Sequence, residues 1–196
     1  VRDNPQTDPV GVADHGYEEP LVKGFKAKYG VDPHDLPNGE DRWVRYRAQP
    51  HTDFMRRVRN LMKATKPRVP ISVMGVHPWC CRGLKDPIDG NLRGMLLDMN
   101  TWAREGLIDE AVAGGHYLEG GTPEKAHEAL KKETEGKVNV WLYAWVPSTV
   151  ADVVRDSALA KKVGARQILF WEADYIDTGP NKDELQAAMR AQAVMR

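Results

Sequence analysis

From residue 69 onward the chain repeats one alternation four times: a short apolar segment, then a longer stretch with helical spacing. The apolar segments are Val69–Val76, Leu107–Ala113, Val138–Val146 and Gln167–Trp171. Each is strand-length, rich in β-branched or aromatic residues, and near-continuously apolar. Strands buried on both faces read that way. The stretches between and after them, about Met99–Glu105, Thr122–Glu133, Ser148–Val163 and Lys182–Met195, carry helix signals. Thr122, Pro123 and Glu124 supply a cap, a first-turn proline and an acid. Ser148 is the expected cap of the next helix, Gly164 its stop, and Asn181 the cap of the last. This order predicts an α/β fold with a parallel sheet covered by helices. Two architectures satisfy it: an open doubly wound sheet, or part of a (β/α) barrel.

Residues 1–68 precede the alternation. Residues 1–17 read as a loop rich in Asp, Pro and Gly. A helix follows from Glu18, with Leu21, Val22, Phe25 and Tyr29 near helical spacing and Gly30 as its stop. Val31–Glu40 is a second loop. A longer helix is expected from about Asp41 to Ala64, its stripe made by Trp43, Val44, Tyr46, Phe54, Met55, Val58, Leu61 and Met62. Pro50 predicts a kink or a break in it. With 196 residues the chain suffices for one domain with a core.

The strand ends choose between the two architectures. None carries the Gly-rich turn by which open nucleotide-binding sheets cradle phosphates. They carry instead His77 and Trp79; His116, Tyr117 and Glu119; Tyr143 and Trp145; and Trp171, Glu172 and Asp174. In a barrel all these ends face one side, where active sites sit. Aromatic rings stack on the apolar faces of sugars, while carboxylates and imidazoles bond hydroxyls. Any one tryptophan is more often core than ligand. The fourfold repetition is what points to a carbohydrate rim.

Charge excludes other classes. The 28 basic and 28 acidic residues cancel and are mixed along the chain, which argues against a nucleic-acid binder. Arg56, Arg57 and Arg59 read as a solvated helix face. The two cysteines, Cys80 and Cys81, are adjacent; they allow a vicinal bridge but no disulfide framework. No apolar run is long enough for a helical membrane span, and no cofactor motif is present. No signal peptide is visible, and the compartment stays open. The polar opening run Val1–Asp14, without an initiator Met, is read as part of something larger.

The runs Glu19-Pro-Leu-Val-Lys-Gly-Phe-Lys-Ala-Lys-Tyr-Gly-Val-Asp-Pro, Asp41-Arg-Trp-Val-Arg-Tyr-Arg-Ala and Ile168-Leu-Phe-Trp-Glu-Ala-Asp-Tyr-Ile resemble the glycosyl-hydrolase-like family 10 proteins. These are (β/α)8 glycosidase-like proteins common in bacterial genomes. The resemblance implies that the four strands are the fifth to eighth of the barrel, and that the N-terminal half is missing here. It also implies that Arg2 follows the end of the fourth strand, whose Asp would lie upstream. Barrel glycosidases place carboxylates at the ends of strands four and seven. Here the presumed seventh strand ends Tyr143-Ala144-Trp145-Val146-Pro147, with no acid.

Three readings follow. In the first, the chain is part of a glycoside hydrolase that uses no cofactor. Glu172 is one catalytic carboxylate, and an upstream Asp is the other. Asp174 would share a strand face with Glu172 if the strand continued, and a like charge there would raise a carboxyl pKa. His77, Trp79, His116, Tyr117, Tyr143, Trp145, Trp171 and Arg2 would bind the substrate. In the second, the same rim holds a glycan without cleaving it. In the third, His77 and His116 with Asp174 or Glu172 hold a catalytic zinc. The four strands should be parallel and adjacent in chain order, and the rim residues should converge in one cleft. A half-barrel expressed alone should be inactive and should aggregate or dimerise through its open sheet.

Overall fold

The computed structural model describes residues 16–37, 39–76, 90–114, 121–171 and 173–194. Helix α1 (Glu19–Tyr29) leads through a 3-10 turn (Pro33–Asp35) into helix α2 (Asp41–Thr65). Strand β1 (Ser72–Val76) is followed by two short helices, α3 (Gly90–Met95) and α4 (Met99–Arg104). Then come β2 (Glu110–Gly114), α5 (Pro123–Glu133), β3 (Asn139–Trp145) and α6 (Val150–Val163). The last elements are β4 (Ile168–Trp171), α7 (Ala173–Thr178) and α8 (Lys182–Val194).

The four strands form one sheet in the order β1-β2-β3-β4, and every pair is parallel. Chain order and sheet order coincide, as the alternation requires. The strands are shorter than the apolar runs. Leu107 and Ile108 belong to the run but not to β2. The Leu107 N–H still bonds Trp102 O, at the exit of α4, and both side chains are buried in the main core. They are apolar because they lie under α2 and α4, not because they pair. Val69 likewise sits in a turn, its N–H on Lys66 O.

One face of the sheet is covered by helices. Val73, Ala111 and Val140 meet Met55, Met99, Trp102, Ala126 and Leu130 in the largest core cluster. Leu142 and Ile168 meet Ala160 and Ala165, and Phe170 meets Val153, Ile176 and Leu185. Gly75 fits this layer because it lacks a side chain: a Cβ there would stand 2.5 Å from Asn91 Oδ1 and 3.1 Å from Met99 Cε.

Helix α2 runs unbroken through Pro50, so the expected break does not occur. One helical hydrogen bond is forfeited at the proline. Val44, Ala48, Thr52 and Met55, buried on both sides of it, hold the helix together. The basic cluster is also more engaged than a solvated face. Arg56 bonds Glu105 and Asp53, and Arg59 pairs with Asp109 at 2.9 Å while largely buried. Thr122 caps α5 as expected. Thr149, not Ser148, caps α6, in a reciprocal box with Asp152. Asn181 starts α8 with its carbonyl, which accepts from Leu185 N. Its side-chain amide instead donates to Ser148 O at 3.3 Å. Helices α3 and α7 were not expected.

His127 ties α5 to the sheet: its Nε2 lies 3.1 Å from Val140 O and the ring is buried. Burial pushes the imidazole below its ordinary value of 6.5. The folded state therefore prefers neutral His127, and the unfolded chain takes up the proton first as pH falls. The resulting stability is fully present above about 6.5 and is lost as pH falls below it, toward the lower folded value. His127→Gln keeps a donor and does not titrate. Chemical denaturation at about pH 7.5 and pH 5.5 should show a larger drop in midpoint for the parent than for this variant. Equal drops would remove His127 from the pH response.

Candidate functional site

Parallel strands in register bring their C-terminal ends to one side. Val76, Gly114, Trp145 and Trp171 end the four strands there. Trp145 and Trp171 are register partners on β3 and β4. Side chains alternate along a strand, and register partners project from the same face. Leu142, Ala144, Ile168 and Phe170 take the helix-covered face, so Trp145 and Trp171 share the other. Both are open to solvent, at 52% and 39%. Two exposed indoles on adjacent strands, whose axes lie about 4.8 Å apart, form an aromatic shelf. Tyr143 lies on the same face one step down and is buried.

This open face has a polar floor at the other end of the strands. The Ser72 hydroxyl donates to Glu110 Oε2. Asn139 Nδ2 donates to Glu110 Oε1 at 3.4 Å and to Gln167 Oε1 at 2.7 Å. The chain of bonds crosses all four strand positions. The sequence reading missed it, although a signal exists: β1, β2 and β3 begin with the polar residues Ser72, Glu110 and Asn139 on the open parity, and Gln167 stands just before β4.

Of the sequence-predicted site residues, the structure brings together Tyr143, Trp145 and Trp171. His77, Trp79, His116, Tyr117, Glu172 and Arg2 lie outside the described residues, as does Glu119. Asp174 lies within α7. Strand β4 stops at Trp171 and a helix begins at Ala173, so the strand does not continue. Asp174 therefore stands on a helix and not on a continuing strand face. Among the described residues no three His, Cys, Asp or Glu side chains form a metal site, and no helix is long and apolar enough to cross a membrane.

Two of the family-resembling runs build structure rather than chemistry. Phe25 of α1 packs edge-on against Trp43 and Tyr46 of α2, with centroids 5.0 and 5.4 Å apart. Gly24 gives Tyr46 its place, since a Cβ there would meet the Tyr46 hydroxyl. The Glu40 carboxylate accepts from Trp43 N at 2.9 Å and caps α2.

The sequence profile of the glycosyl hydrolase-like 10 family matches residues 8–146. The match takes in α1, α2 and the strands through β3, including the runs Glu19–Pro33 and Asp41–Ala48; Ile168–Ile176 lies beyond it. No curated protein and no solved structure matches the chain.

Proposed function

The chain belongs to the glycosyl hydrolase-like 10 family, and on that footing we propose that it is part of a (β/α)8 barrel that binds and hydrolyses a carbohydrate at the C-terminal ends of its strands. The observation that carries this reading is the Trp145–Trp171 shelf: two exposed aromatic residues in register at the end of a parallel sheet where barrel active sites lie. Indole faces stack on the C–H faces of pyranose rings and leave the hydroxyls to polar neighbours.

Barrel closure accounts for the uncovered surfaces. Helices cover one sheet face, while Met74, Trp145 and Trp171 stand exposed on the other. Among the described residues β1 and β4 each pair on one side only. A cleft of about 330 Å³ lined by Ile168, Phe170 and Met189 lies along β4. A barrel of eight parallel strands has no free edge and fills its interior with side chains. Four further βα units, preceding these, would supply the missing wall.

In the catalytic reading Glu172, next in the chain after Trp171, is one carboxylate. The second comes from outside these 196 residues. One carboxylic acid protonates the glycosidic oxygen as its bond to the anomeric carbon breaks. The other carboxylate attacks that carbon or activates the water that does. A separation of about 5–5.5 Å gives retention and about 6.5–9.5 Å gives inversion. His77, Trp79, His116, Tyr117, Tyr143 and Arg2 complete the substrate-binding rim, and the reaction needs no cofactor. One observation favours the non-catalytic alternative: β3 ends Trp145-Val146-Pro147 without an acid. Asp174 keeps a place as a secondary acid near Glu172, now on α7.

The shelf is tested by Trp145→Ala and Trp171→Ala in the complete polypeptide, with glycan affinity read by calorimetry. Aromatic pairs are worth on the order of 0.5–1.5 kcal/mol beyond their buried area, and a ring stacked on a sugar face is taken on the same scale. The double variant, losing about 1–3 kcal/mol, should therefore bind glycan about 5- to 150-fold more weakly. Affinity unchanged in the double variant would place the glycan elsewhere.

A further inference from the structure

Helix α2 has a buried face, a polar face and one flank that is neither. Ala48, Thr52 and Met55 are buried, and Met55 packs with Ile71 and Val73 at β1. On the β2 side, Thr52 accepts the Trp102 indole N–H at 2.9 Å. Arg56 reaches Glu105 and Arg59 reaches Asp109 on that side too.

The other flank carries Phe54, Val58 and Leu61. The spacing of four and then three residues lines them up as one stripe. At 3.6 residues per turn the stripe lies roughly 100° from Met55, in the opposite sense from Arg56. Phe54 is 56% exposed and Leu61 63%. Further toward the helix N-terminus, Trp43 and Tyr46 lie toward the same flank, and α1 covers them through Phe25. The flank thus passes from an aromatic cover to a bare apolar stripe as it comes level with β1. That is the side on which β1 has no strand partner among the described residues.

We propose that Phe54, Val58 and Leu61 are the seat of the helix that leads, in the chain, into the strand pairing in parallel with the free edge of β1. This rests on the barrel reading and adds to it which surface the neighbouring unit buries. The occupant's contacting face must be apolar at helical spacing to cover Phe54, Val58 and Leu61, with Arg57 at the rim of the seat, three residues from Phe54 and four from Leu61. Asp53 and Asn60, both exposed, lie away from the stripe and stay in water. The seat continues the contact that α1 already makes, so the helix layer runs on past α2 without a gap.

Photo-crosslinking in the complete natural polypeptide tests the seat. The photoreactive residue p-benzoylphenylalanine is placed at Leu61, at Asn60 or at Met74 in turn, and the products are mapped by mass spectrometry. The expected result is crosslinking from Leu61, within the same polypeptide, to a helix outside these 196 residues, with none from Asn60. Met74, on the open sheet face, should crosslink to strands other than β2 and β3. Crosslinks from Met74 but none from Leu61 would overturn the seat and leave the barrel standing. Crosslinks from Leu61 only to a second copy, or to an unrelated protein, would overturn it too. Absence of such products from both Leu61 and Met74 would remove the barrel along with it.

Discussion

Glu172→Gln in the complete polypeptide should reduce glycan hydrolysis by about 100- to 10,000-fold, the range that acid–base side chains supply. Glycan affinity should stay near that of the parent. Glutamine keeps the length and planar shape of the side chain and still forms hydrogen bonds, but it can neither ionise nor donate an acid proton. The split between turnover and binding is the point of the experiment. A residue that only shapes the rim would lose both together. Unchanged turnover would take Glu172 out of the mechanism. Absence of hydrolysis in the parent itself, with glycan still bound, would favour the binding reading that the acid-free end of β3 supports.

The second large effect concerns the core. Trp102 is buried where α2, α4, β2 and α5 meet, among Met55, Met99, Leu107, Ile108, Ala111, Leu130 and Val140. Its indole N–H donates to Thr52 Oγ1 at 2.9 Å. Trp102→Ala removes an aromatic side chain from a packed site, which costs about 3–5 kcal/mol. Domain stability is only about 5–15 kcal/mol in total, so a large part of it is at stake. Trp102→Phe keeps most of the ring and loses the bond to Thr52, and should cost less. Urea denaturation measures both. A loss below about 1 kcal/mol for Trp102→Ala would mean that α2 is not packed on the sheet as described.

Much of the fold was legible because it repeats. Four apolar runs separated by capped helices leave few topologies, and the parallel order β1-β2-β3-β4 follows from the alternation. The strand limits were less legible, because hydrophobicity reports burial and not pairing. Leu107 and Ile108 are as apolar as any strand residue, yet they fill the space beneath two helices. Pro50 misled in the opposite direction. Its local cost is real, but Thr52 and Met55 on one side and Val44 and Ala48 on the other outweigh it through burial that only the tertiary structure reveals. The short helices α3 and α7 had no apolar period of their own; α7 is held by Ile176 against Val153 and Leu185.

The site was legible in kind and only partly in arrangement. Odd positions of β3 carry Trp141, Tyr143 and Trp145, which the period of two places on one face. The pairing of Trp145 with Trp171 required the register, which no single strand encodes. Asp174 failed for a related reason: its inferred orientation assumed that the strand continued past Trp171, and the chain turns helical instead. The polar floor of Ser72, Glu110, Asn139 and Gln167 was written in the sequence one residue per strand. It became visible as a row only when the four strands were set side by side.

A glycan lying across Trp145 and Trp171, at the ends of β3 and β4, would shield both indoles from solvent. The most direct measurement is oxidative footprinting of tryptophan in the complete polypeptide, with and without each of a panel of soluble oligosaccharides. Trp145 and Trp171 should be oxidised readily in the free protein and protected together by any oligosaccharide that binds or is cleaved, while buried Trp43 and Trp102 stay unreactive throughout. An oligosaccharide that is bound or hydrolysed while both exposed indoles oxidise as fast as before would place the glycan away from Trp145 and Trp171.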